Sequence, residues 1–194
     1  MENKGFTLAE MLAVIIILAI FGVIGIVSVE SIIKKGTEKA YQAQISEIKT
    51  AAENLVKIDG EPTWCSNESN CFVSLRYLAF KKYIKLNDSR EYINPRTDKP
   101  FSLETGSLIK KYGENYIVEA YESLDELEAK NPGLLNKVKK QAVAAAAMIY
   151  KEKELCTNVC NLKTSDLISN GLLSENFYNE VDITIDYNNK VNIG

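Results

Sequence analysis

The sequence predicts an α+β protein: a long N-terminal helix followed by two small antiparallel units in tandem. Three observations carry that class. An uncharged apolar run from Met11 to Val29 continues into an amphipathic helical pattern. Further along, short apolar stretches flank tight-turn residues, as the strands of hairpins do. The second half of the chain also repeats the order of the first, and self-similarity at such a period argues for two units of one type.

Met1-Glu2-Asn3-Lys4-Gly5 is a short polar leader. Residues 6–29 follow as an apolar segment, and about 20 apolar residues suffice to cross a bilayer as a helix. Glu10 stands at the threshold of this segment. On insertion scales a charge at the bilayer centre costs about 2.5–3.5 kcal/mol, and less near the edge. An ionisable group in that place is a functional hypothesis by default, and an amine is its natural partner. An ordinary secretory signal would carry a small-residue cleavage site behind the apolar region, and Val27-Ser28-Val29 is a poor one.

Helical periodicity continues through residues 30–58. Ala40, Ile45, Ile48, Ala52, Leu55 and Val56 recur at helical spacing and mark an apolar stripe. Asp59-Gly60-Glu61-Pro62 ends the run. One helix from Phe6 to Lys57 would be about 78 Å long.

Residues 59–121 form the first unit. It holds Cys65 and Cys71, a helical turn at Val73–Leu78 and a loop at Asn94–Pro100. Leu108–Tyr112 and Tyr116–Ala120 then read as strands around Gly113-Glu114. Residues 122–133 are a linker with a short charged helix, closed by Asn131-Pro132-Gly133. Residues 134–194 are the second unit, opening on a helix from Leu134 to near Leu155. Its Ala144–Ala147 run has the best helix propensity available. With Cys160 set on Cys71, Leu162 falls on Val73, Leu167 on Leu78, and Leu172-Leu173 on Tyr83-Ile84. Across a shorter loop, Asp186 falls on Lys111 and Val191 on Tyr116.

Four cysteines permit three pairings. The repeat favours Cys65–Cys71 with Cys156–Cys160; a four-cysteine zinc site and free thiols are the alternatives. Histidine is absent, which removes the commonest general base and metal ligand. No phosphate loop and no activated nucleophile appears, so neither catalysis nor a cofactor or metal is expected. The net charge of −3 does not favour nucleic-acid binding. Lys81-Lys82 with Lys85, and Lys137 with Lys139-Lys140, read as solvated faces, with contacts to DNA or another anionic polymer as the alternative.

Gly5-Phe6-Thr7-Leu8-Ala9-Glu10, with the apolar span directly behind it, resembles the type IV prepilin motif. The resemblance implies that a prepilin peptidase cuts between Gly5 and Phe6 and methylates the Phe6 amine. It also implies that Glu10 pairs with the Phe6 amine of a neighbouring subunit. A carboxylate and an ammonium, each costly in hydrocarbon, offset one another once together. Many pilins carry a proline within the span; this chain has none, and Gly22 and Gly25 are where its helix would loosen. Charge alone (Lys34, Lys35 and Lys39 against Lys4) would place the C-terminal part in the cytoplasm. The resemblance places the leader there instead, and the heads outside.

What the resemblance implies is a structural subunit of a type IV pilus or pseudopilus. Its two tandem pilin-like heads would each be an antiparallel sheet laid on a helix. A minor pilin serving adhesion or secretion fits tandem heads better than a bulk subunit. Its partners would be copies of itself, other pilins, the peptidase, the assembly machinery and membrane lipid. It would be a single-pass protein of the cytoplasmic membrane before assembly, and part of a surface filament afterwards. The alternatives are a membrane-anchored binding module that never polymerises, and a DNA-uptake pseudopilin.

Overall fold

The computed structural model describes residues 7–66 and 68–194, with the backbone alone along residues 21–28. Helix α1, Leu8–Ile58, is 51 residues long and ends at Asp59, where the breaker residues begin. Its C-terminal part buries Tyr41, Ile48, Ala51, Ala52 and Leu55, the stripe an amphipathic helix turns toward a core. Ala40 is exposed, and Tyr41 takes the place expected for it. A stripe read from aliphatic residues alone passes over a tyrosine whose hydroxyl finds a partner, here Glu122 at 2.8 Å.

Among the described residues no helix is long and apolar enough to cross a membrane. The crossing expected at residues 6–29 rests partly on Phe6 and on the side chains of residues 21–28, which lie outside the described residues. The described remainder, Thr7–Ile20, falls short of the about 20 residues that a crossing takes.

A 3₁₀ turn, Thr63–Cys65, leads to β1 (Asn70–Ser74) and α2 (Leu75–Phe80). A small ribbon, β2 (Ile93–Asn94) with β3 (Lys99–Pro100), follows, then the hairpin β4 (Gly106–Tyr112) and β5 (Asn115–Tyr121). These strands form an antiparallel sheet in the order β1-β4-β5. Gly106 faces Ser74 across β1 and β4, and a Cβ there would lie 2.0 Å from the Val73 carbonyl oxygen. Only glycine lets the two strands come this close at that end.

After α3 (Leu124–Lys130), helix α4 (Leu135–Glu152) buries Ala142 to Ile149 almost without interruption. It packs against β1 and α2 of the first unit and also against α5, β7 and β8 of the second. The alanine run gives α4 thin walls, which suits a helix with neighbours on several faces. Gln141 completes this packing. Its side chain accepts from the Phe72 N–H at 2.8 Å and donates to the Asn70 carbonyl at 3.1 Å, covering the free edge of β1.

The second unit comprises β6 (Cys160–Lys163), α5 (Thr164–Ser169), β7 (Asp182–Ile185) and β8 (Val191–Ile193), with sheet order β6-β7-β8. Its chain path echoes the first closely. Both α2 and α5 are followed by a left-handed residue, Lys82 at φ 65° and Gly171 at φ 66°. Both then close on the same bond: Tyr83 N–H to Leu78 at 2.9 Å, and Leu172 N–H to Leu167 at 2.8 Å. The later strands sit differently from the sequence register. Ile185 pairs with Cys160 as Ile109 pairs with Cys71, whereas setting Asp186 on Lys111 would put Thr184 in that place. Asp186 instead accepts the Asn188 and Lys190 N–H groups and holds the turn. Most buried hydrophobic residues of both units form one continuous cluster, from Tyr41 of α1 to Ile185 of β7, and Phe72, Leu108, Tyr121, Leu127, Val138 and Ala142 form a second.

Candidate functional site

The N-terminus of α1 is closed by Thr7 and Glu10. The Thr7 hydroxyl accepts the Glu10 N–H at 3.3 Å, while the Glu10 carboxylate accepts the Thr7 N–H at 2.8 Å. The Thr7 hydroxyl donates to the same carboxylate oxygen at 2.9 Å. This reciprocal pair is a capping box, which satisfies amide groups that a helix start leaves without partners. Glu10 therefore has donors within its own chain. The spacing Thr-x-x-Glu carries this signal in the sequence, where attention to the charge alone overlooks it. Gly5 and Phe6, the expected processing site, lie outside the described residues.

On either side of Glu10 the helix presents apolar side chains that have no partner among the described residues. Leu8 is 84% exposed, and Met11, Leu12, Ile15, Ile17 and Leu18 are likewise open. A surface of this kind on one helix marks an interaction site, with either lipid or protein as its cover.

Where α1 meets the globular part, polar side chains clamp the β2–β3 loop to it. Arg96 grips Glu38 with two hydrogen bonds of 2.8 and 2.7 Å, and its guanidinium lies 3.4 Å from the centre of the Tyr41 ring. The Tyr92 hydroxyl donates to Glu47 at 2.6 Å, and the Gln44 amide donates to the Ile93 carbonyl at 2.8 Å. Hydrogen bonds from Arg96, then from Gln42, hold the Glu38 carboxyl down at about 2. Burial first, then the Glu122 carboxylate, raises the Tyr41 phenol. The clamp was not legible in advance, because Glu38 and Arg96 meet only after the loop folds back.

Cys65 is joined to Cys71 and Cys156 to Cys160, the pairing that the repeat favours. All four sulfurs are thus consumed, and no thiolate is left for a zinc site. Among the described residues no group of three or more histidine, cysteine, aspartate or glutamate side chains is placed to hold a metal. The two basic clusters are partly neutralised: Lys81 pairs with Glu152 at 2.7 Å, and Lys137 with Glu68. Lys82 and Lys85 have no ion pair among the described residues.

Residues 1–26 match the prokaryotic N-terminal methylation motif, the prepilin-type signal. The match spans the leader, Glu10 and most of the apolar run, and stops well before the globular part. No curated protein and no solved structure matches the chain.

Proposed function

We propose that the chain is the precursor of a structural subunit in a type IV pilus-like filament. The observation that carries this reading is the prepilin-type signal at residues 1–26, with Glu10 at the start of a helix whose apolar face has no partner among the described residues. In this reading a prepilin peptidase cuts after Gly5, and the freed Phe6 amine is methylated. The helix is stored in the bilayer as a single span over residues 6–29, then moves into a filament where neighbouring helices replace lipid. Two charges that are each costly in hydrocarbon favour the assembled state when they meet, so Glu10 seeks a neighbour's Phe6 amine. Pairing with an ammonium adds what the Thr7 donors lack, an opposite full charge.

The part beyond residue 58 is the portion displayed. Two three-stranded antiparallel sheets, each opened by a cystine and each with a short helix after its first strand, support reading it as tandem heads over residues 59–121 and 134–194. The continuous core and the shared helix α4 favour heads fused into one body. Such a head suits a minor subunit serving adhesion or secretion. No catalytic role belongs to it.

The test is Glu10→Ala in the native host. The variant is expected to insert in the membrane at ordinary levels while its signal in sheared surface filaments falls about tenfold or more, since a lost ion pair of this kind is worth more than 1.4 kcal/mol. Unchanged incorporation would remove Glu10 from assembly, whereas absence of the unaltered chain itself from sheared filaments would leave a membrane-anchored, non-polymerising binding module as the better reading.

A further inference from the structure

We propose that a groove between the two units takes a peptide segment of a partner protein, one that alternates aliphatic and acidic side chains. The groove has a volume of about 750 Å³ and is walled by both units: the turn after α2, the end of α4, and the turn after α5. A volume of this order is in the range of formed ligand sites. A shallower depression of about 430 Å³ adjoins it, sharing Arg76, Arg90 and Leu103, so an elongated occupant fits better than a compact one.

Two features define the occupant. The floor is aliphatic, with Leu86 and Leu103 half-buried and Ile84, Ile149 and Leu172 buried among its lining. The rim is basic: Lys82, Lys85, Arg90 and Lys153 join Arg76, and no carboxylate lines this groove, while Glu91 and the Arg76-bound Glu104 line the shallower depression beside it. The four rim cations other than Arg76 are exposed and have no ion pair among the described residues. The chain as a whole carries −3, so this surface runs against the average of the molecule. Charge of one sign around an apolar floor selects a partner with the opposite sign and apolar anchors. A nucleic acid or another phosphate polymer would meet the rim and leave the aliphatic floor uncovered. Phe80 is the single aromatic ring among the lining residues, a poor platform for stacking bases.

The groove is held open by its own bonding. Arg76 donates to the Gly171 carbonyl at 2.7 Å and to Glu104 at 2.6 Å, while Glu104 also accepts the Ser174 N–H at 3.0 Å. Burial works against the charge on Glu104, yet the Arg76 charge and the bonds from Arg76, Ser102 and Ser174 keep its carboxyl below the ordinary range. A buried pair of this kind fixes the first unit against the second, so less ordering has to be supplied when a ligand enters.

The probe is a fluorescent short peptide alternating leucine and glutamate, titrated by anisotropy onto the full chain in nanodiscs of zwitterionic lipid, with empty nanodiscs as the blank. Binding is expected with a Kd of about 1–100 µM at low salt, weakening as salt rises. Lys85→Glu combined with Lys153→Glu, both at exposed positions, should weaken it about tenfold or more. Replacing the peptide's leucines by serine should do the same. The proposal is overturned by absence of binding, by binding indifferent to the charge reversal, or by a serine peptide, a polyphosphate or an oligonucleotide that binds as well as the leucine peptide. The binding needs no polymer, so a failure of filament assembly leaves this outcome separately readable.

Discussion

Glu10 accepts both the Thr7 N–H and the Thr7 hydroxyl, so the carboxylate at the mouth of the apolar helix is cushioned before any neighbour arrives. Gln141 does comparable work deeper in the protein, where its amide group supplies an acceptor and a donor to the edge of β1. Replacing it by leucine keeps the volume and strips the Phe72 N–H and the Asn70 carbonyl of partners. A buried polar group left unpaired costs about 1–3 kcal/mol. Gln141→Leu is therefore expected to lower the urea midpoint of the head by a corresponding amount, and an unchanged midpoint would show that water replaces the amide. These two residues differ in legibility. Thr7 and Glu10 lie three apart and announce a cap in the sequence. Gln141 sits beside an alanine run and gains its meaning only from the strand edge that folding brings against it.

At the scale of elements, α1 was readable to within a residue at its C-terminal end, because Asp59-Gly60-Glu61-Pro62 cannot continue a helix. The β4–β5 hairpin around Gly113-Glu114 was equally plain: Gly113 has φ 64°, which its turn requires. Strands β7 and β8 were displaced from their expected register, since strands of four and three residues carry too few alternating side chains to fix it. The clamp between α1 and the β2–β3 loop has a consequence in pH. Glu38 is ordinarily protonated below 4.5, and bonding to Arg96 lowers its carboxyl to about 2. A depressed folded value means that the ionised clamp favours the docked loop fully above 4.5, and that this contribution fades as pH falls toward 2. Carbon-13 titration of the Glu38 carboxyl should show the low midpoint, and Arg96→Gln should return it toward the ordinary value. A normal midpoint in the unaltered chain would mean that the clamp is open in solution.

At the scale of the molecule, cysteines and leucines recur in one order along the two halves of the sequence, and the left-handed turns at Lys82 and Gly171 recur with them. How the halves meet was not visible. Shared use of α4, the Arg76–Glu104 joint and the basic groove all arise from contacts between residues far apart in the chain. The prepilin-type signal is the reverse case, since it lies in a short contiguous motif that can be read without any fold. That motif makes a chemical commitment about the mature chain. Mass spectrometry of the N-terminal peptide from native membranes tests it most directly. A chain beginning at N-methylated Phe6 is the expected result, and a chain that retains Met1 to Gly5 would contradict it.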